Sequence, residues 1–240
     1  MARTLNREVH MVRREAFVEA AQRLMQTRGW DEMSIQDVLD AVEASRGAFY
    51  HYFDSKQALL EAVIDRMVDA GLASIEPIVQ DATLPAAEKL VSVFGGIGRW
   101  KTDRRDLILA FLDVWLSDDH AVVREKFRHK LVGRFVPVLT AIVRQGIEEG
   151  GFHVESPEAT ARVLMMLIQG LQDEATHLFV ARQANAVSYE EVEAGFASYT
   201  AAFERILGVK AGSIRLIDKP ILLAWYGNGI RRPNGGDHRS

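Results

Sequence analysis

Residues 43–59 read EASRGAFYHYFDSKQAL and set Phe49, Tyr50, Tyr52 and Phe53 around His51, in a chain with only 8% aromatic residues. Three chemistries fit such a cluster: an imidazole acting as a general base, a buried aromatic strand, or a surface that reads nucleic acid. A general base needs an orienting partner and a nucleophile within reach, and no motif nearby supplies them. Glu174 and His177, three apart in EATH, form one half of a di-iron carboxylate pattern whose second Glu-x-x-His is missing. Neither a His-Glu-x-x-His helix nor a Gly-x-Ser-x-Gly elbow occurs, and none of Gly95, Gly96 and Gly98 is followed directly by the Lys-Ser/Thr of a phosphate loop. Asp118, Asp119 and His120 fit a helix start. The chain has no Cys, which excludes disulfides and thiolate metal sites. The expectation is a protein that is not an enzyme and that holds neither metal nor cofactor.

The elements that must carry the aromatic cluster are helical. Apolar residues recur at a period of about 3.6 throughout, with no convincing alternating run. In RREAFVEAAQRLMQTRG, Phe17, Ala20, Ala21, Leu24 and Met25 share a stripe, and Gly29 suits the position just past a helix end. Ser34 and Asp37 make a capping box for a helix over about 35–42. Ser45 can cap a third helix through RGAFYHYF, and Asp54 or Ser55 a fourth, which Pro77 and QDATLP are expected to end. Further helices are predicted at about 85–98, 103–117, 119–149 (with a Pro137 kink), 157–182 and 188–207. The spacing puts Phe49 and Phe53 on one face, packed on the first helix, and turns Tyr50 and His51 elsewhere; Tyr52 is open between core edge and surface.

A formal net charge of -4 is no advertisement for a nucleic-acid binder, but charge distribution matters more than the sum. Residues 1–14 hold Arg3, Arg7, Arg13 and Arg14 against Glu8 alone, an N-terminal arm with local positive charge. No secretory leader and no apolar run of about eighteen residues is present, so a cytoplasmic protein without a membrane span is expected.

A short helix, a three-residue turn and a second short helix with a polar, aromatic outer face is the layout of a helix-turn-helix. SIQDVLDAVEASRGAFYHYFDSKQALLEAV resembles the DNA-binding signature of the TetR family of bacterial transcriptional regulators. The resemblance is close over about residues 12–68 and extends over 80–207 only as an all-helical layout. It implies that Ser34 meets a phosphate at the start of the second helix, and that Ser45, Arg46, Gly47 and Ala48 form the leading end of a recognition helix. Tyr50 and His51 would face DNA, Tyr52 staying open between that role and the core edge, and Lys56 would hold a phosphate. Two positions depart from the family: Ala48 where Thr or Ser is common, and Glu43 where a turn Gly is usual.

The implied fold is all-α, with an N-terminal three-helix helix-turn-helix domain (1–55), a larger helical effector-binding and dimerisation domain (56–207) and a C-terminal extension (208–240) whose end, NGIRRPNGGDHRS, reads as disordered. Partners implied are a roughly palindromic double-stranded operator, a small-molecule effector and a second copy. The homodimer would form through 157–182, with Val163, Met166, Leu167, Gly170 and Leu171, and 188–207, with Val192, Gly195, Phe196, Tyr199, Phe203 and Leu207. Effector-pocket candidates are Phe94, Trp100, Phe111, Trp115, Phe135, Met165 and Met166, with Gln169, Asp173, His177 and Asp113 as polar groups. A ligand-independent helix-turn-helix protein is the alternative.

Overall fold

The computed structural model describes residues 2–227, with side chains from His10 onward. Arg3, Arg7 and Glu8 of the basic arm, and the tail from 228, therefore lie outside the described side chains. In chain order the helices are α1 (Ala2–Arg28), α2 (Ile35–Ala41), α3 (Arg46–Tyr52), α4 (Lys56–Gln80), α5 (Ala86–Asp103), α6 (Arg105–Leu116), α7 (Ala121–Glu148), α8 (Pro157–Gln183), α9 (Tyr189–Leu207) and α10 (Lys219–Leu222); a 3₁₀ turn at Asp118–His120 precedes α7 and a π-turn at Leu223–Gly227 follows α10. No strand occurs among the described residues.

The helix ends fall where local chemistry puts them. Gly29, at φ +84°, donates to Met25 O and stops α1. Ser188 and Glu191 close a capping box on α9, and Ser156 with Pro157 opens α8. Two expectations are corrected. α1 begins at Ala2, so the basic segment continues the helix instead of forming a separate arm. α4 ends at Gln80, where QDATLP begins, but it runs through Pro77; so close to a helix end, the missing N–H removes only one bond.

The chain packs as two units. The first holds residues 1–72 with 104–131, so α6 and the start of α7 fold with the N-terminal helices. Its core combines Phe17, Ala21 and Met25 of α1, Val38 and Leu39 of α2, Phe49 and Phe53, Leu59, Leu60 and Val63 of α4, and Val114 and Val123. Across its surface Lys126 meets Glu61 at 2.6 Å, Lys130 meets Asp65 at 2.7 Å and Arg66 meets Glu15 at 2.9 Å. Pairs as exposed as these fix register more than they add stability.

The second unit holds residues 73–103 with 132–240. Lys89 of α5 is buried and donates to Gln145 Oε1 at 2.9 Å, while Glu149 accepts from the Ala86 N–H at 2.9 Å. Gly146 leaves room for the Phe152 ring, and its carbonyl accepts from both Gly151 and Phe152 at 2.9 Å. α8 and α9 approach closely at two glycines: a Cβ on Gly170 would lie 3.3 Å from the Tyr199 hydroxyl and one on Gly195 3.2 Å from Leu178. Glu204 of α9 is buried and accepts from the Ile214 N–H at 2.9 Å, tying down the strand-free run after Gly208. The final described turns pack by their aromatics: Trp225 donates to Thr102 Oγ1 at 2.9 Å, Tyr226 OH donates to Ala175 O at 3.0 Å, and the Tyr226 ring lies 5.5 Å from Phe196.

Candidate nucleic-acid interface

α3 owes its placement to its own sequence. The Ser45 hydroxyl oxygen accepts from the Ala48 N–H at 3.2 Å and sets the helix start. Phe49 is fully buried, and its ring meets Phe17 edge-on at 5.8 Å and Phe53 at 5.6 Å. That anchorage fixes the rotation of the helix, so Arg46, Gly47, Tyr50 and His51 stand in solvent, Tyr50 at 50% exposure, with Ala48 half-buried. Tyr52, which spacing alone leaves open, turns back toward α1 and is half-buried, 5.8 Å from Phe17 and 4.6 Å from His10. His51 lies 5.3 Å from His10, and the Arg14 guanidinium sits 5.0 Å over the Phe53 ring. His10, Arg14 and Phe17 are thus one stripe of α1 that grips the second half of α3.

The turn between α2 and α3 is a Schellman motif: Ala44 N donates to Leu39 O at 3.0 Å and Glu43 N to Asp40 O at 3.4 Å. Its left-handed position, normally a glycine's, is filled by Glu43 at φ +51°. The exposed carboxylate of Glu43 therefore stands immediately before the recognition-helix candidate, at the cost of backbone strain.

Ser34 and Lys56 are more committed than their types suggest. Ser34 Oγ donates to Asp37 Oδ2 at 2.6 Å and accepts from the Asp37 N–H at 3.2 Å, while Arg28 binds the other carboxylate oxygen at 2.6 Å. Hydrogen bonds from Ser34, seconded by Arg28, hold the Asp37 carboxyl below its ordinary value. Ser34 thus has no spare proton for a phosphate unless it releases Asp37, whereas the Ser45 hydroxyl only accepts. Lys56 Nζ donates to Trp30 O at 2.6 Å and to Asp31 O at 3.3 Å and lies 5.0 Å over the Trp30 ring. Burial pushes its ammonium below the ordinary lysine value, with Asp31 and Asp37 opposing the shift. One of its three N–H groups remains outside those two bonds. His120 Nε2 completes this corner, 3.1 Å from Asp31 Oδ1.

The residues proposed for an effector pocket do not gather in one unit. Phe111 and Trp115, the latter edge-on to Phe127 at 5.2 Å, belong to the first, as does Asp113. Phe94, Trp100, Phe135, Met165, Gln169, Asp173 and His177 belong to the second. Phe94 packs on Phe203 at 5.5 Å, Trp100, Phe135 and Met165 are buried, Gln169 and Asp173 are half-buried and His177 is exposed. Met166 points outward at 71% exposure and lines no interior of its own chain. Spacing also missed two charged residues that the fold encloses, Lys89 and Glu204; charge alone marks both as surface. Among the described residues no group of three His, Asp or Glu is placed to hold a metal ion, and no helix is long and apolar enough to cross a membrane.

A family model described as bacterial regulatory proteins, tetR family, matches residues 17–63, the span from the buried Phe17 to Val63. The chain is 25% identical over 158 residues to the HTH-type transcriptional repressor DhaR of a Mycobacterium species, covering 65% of this chain and 79% of that protein. It is 34% identical over 74 residues to the HTH-type transcriptional regulator EthR of Mycolicibacterium smegmatis, covering 31% of this chain and 33% of that one. Among solved structures, a TetR transcription regulator from Haloarcula marismortui shares the fold with a TM-score of 0.58 at 22% identity, over 81% of this chain and 96% of that one.

Proposed function

Because this chain belongs to the TetR family of bacterial regulatory proteins, we propose that it is a DNA-binding transcriptional repressor that a small-molecule effector releases from its operator. The observation that carries this reading is α3: a helix pinned through Phe49, with Arg46, Gly47, Tyr50 and His51 presented to solvent on one side. Those groups suit a major groove, where Arg addresses guanine, the Ala48 methyl a thymine methyl, and hydroxyls and backbone amides the phosphates. Ser45 keeps a donor for a phosphate; Ser34 and Lys56 would contribute after releasing or sharing present partners. Residues 1–55 would read DNA, and the helices of 56–207 would bind effector and second copy.

Two recognition helices must reach successive major grooves, about 34–36 Å or a multiple apart, which requires a dimer. α8 leaves Val163, Met166 and Val180 exposed at 45%, 71% and 40%, an apolar face that supports dimerisation through α8 and α9. Gly170 and Gly195, by contrast, serve contacts within the chain, and Leu171, Val192, Phe196, Phe203 and Leu207 are buried there. Effector binding would need to favour the released state by about 1–3 kcal/mol to act as a switch. Footprinting of the purified protein on the DNA flanking its own gene tests the reading: a protected, roughly two-fold site is the expected result, and no site at moderate salt refutes it.

A further inference from the structure

Three titratable rings meet where α1 packs on α3. His10 of α1 lies 5.3 Å from His51 and 4.6 Å from Tyr52, and His51 lies 5.0 Å from Tyr52, so each ring is in contact with the other two. The edge-on contact of Phe17 with Phe49, which fixes the rotation of α3, fixes this juxtaposition as well. Both imidazoles are exposed, and no hydrogen bond or ion pair reaches either of them among the described residues. The charged groups around them are mostly cationic. On α1, Arg13 and Arg14 follow His10 on its own face, and Arg14 sits over the Phe53 ring. On α3, Arg46 is exposed; the exposed carboxylates of Glu43 and Asp54 stand before and after that helix and pair with neither ring. Lys56 of α4 turns its ammonium to the carbonyls of Trp30 and Asp31. Histidine is the side chain whose charge changes between about pH 5 and 8. Two imidazolium charges this close oppose each other, and the free protein bonds neither to a carboxylate.

We propose that His10 and His51 form a proton-coupled unit of the DNA interface: operator binding brings phosphates against both rings, the phosphates supply the counter-charge that the free protein lacks, and the complex holds more protons than the free protein. This rests on the reading of α3 as the recognition helix and adds the proton as a regulator of that same surface. His10, which spacing did not single out, becomes a DNA-facing residue. Because the bound state is the more protonated one, operator affinity rises as pH falls through the imidazole range and is lost as pH rises through it.

Binding of the full chain to a fluorescent fragment carrying the footprinted site is followed by anisotropy from about pH 8 to about pH 6 at constant ionic strength, beside His10→Gln, His51→Gln and His120→Gln. Wild type is expected to bind about tenfold more tightly at the lower pH, an average uptake of about half a proton per complex. His10→Gln and His51→Gln should each cut that gain to about threefold or less. His120→Gln should keep it, since that imidazole lies 3.1 Å from Asp31 and away from the pair. Calorimetry of wild type binding in two buffers of different ionisation enthalpy reads the proton uptake without any variant. Affinity of wild type that ignores pH, no proton uptake by calorimetry, a full gain that survives His10→Gln or His51→Gln, or a gain abolished by His120→Gln each overturn the proposal. Binding to the site without a pH response leaves the operator reading standing, whereas no binding at any pH refutes that reading and the proposal with it.

Discussion

Glu43 offers a substitution whose effect is worked from the backbone. At φ +51° it occupies the left-handed position of the Schellman turn between α2 and α3. An L-residue there costs about 1–2 kcal/mol relative to its right-handed well. Replacing it by Gly removes that strain but returns about 0.4–1 kcal/mol through the greater freedom of the unfolded chain. The net gain for Glu43→Gly is about 0.5–1 kcal/mol, which for a protein of this size is a rise of about 1–4 °C in melting temperature. The side chain is exposed and makes no cap of its own, so no lost contact offsets the gain. Glu43→Gln separates strain from charge: it keeps the backbone cost, so its melting temperature stays within about a degree of wild type. Both variants should bind operator about two- to fivefold more tightly, because a carboxylate near the phosphates is gone. Differential scanning fluorimetry and anisotropy titration at fixed salt read the two effects. A Glu43→Gly protein that melts at or below wild type would refute the strain reasoning, and unchanged affinity in both variants would place Glu43 away from DNA.

Other substitutions probe separate elements. Gly146→Ala drives a Cβ into the buried Phe152 ring, so it should destabilise by about 1–3 kcal/mol, read by urea unfolding, with DNA affinity per folded molecule unchanged. Lys56→Ala loses the bonds to Trp30 and Asp31 as well as a phosphate contact; it should lower the melting temperature and weaken DNA binding together, whereas Tyr50→Ala should do only the latter. For Glu204, hydrogen bonds from Ile214 first, then Gly212 and Ser213, outweigh burial and hold the folded carboxyl below its ordinary value of 4.5. Its stabilisation is therefore complete above the unfolded-state value and is lost as pH falls through the folded one. Glu204→Gln should melt below wild type at pH 7, with the gap closing below about pH 4; a gap constant with pH would show that its charge is irrelevant.

Local chemistry made much of the interface legible. Ser34 with Asp37, Ser45 and Gly29 mark helix ends by bonds that span three or four residues, and those bonds form in the fold. The four-residue spacing of Phe49 and Phe53 correctly separates core from the outward Tyr50. Tyr52 was undecidable because its partners, His10 and Phe17, lie more than thirty positions away. The same distance problem hides Lys56, whose acceptors are carbonyls of residues 30 and 31, and the joining of α6 and early α7 to the N-terminal helices. The start of α1 was missed because residues 2–12 carry no regular apolar stripe, so nothing in their pattern required a helix. The enclosure of Lys89 and Glu204 depends on which helix face meets which neighbour, a property of packing that single-helix periodicity underdetermines.

The central claim is that the exposed face of α3 reads the operator. It is tested most directly by measuring the affinity of Arg46→Ala for the footprinted site and for a scrambled fragment of equal length, beside wild type and with melting temperature as control. Loss of one guanine contact should cost about 1–3 kcal/mol on the operator, roughly five- to 150-fold, and relax discrimination against the scrambled fragment while the melting temperature holds. An Arg46→Ala protein that binds both fragments as wild type does would contradict it.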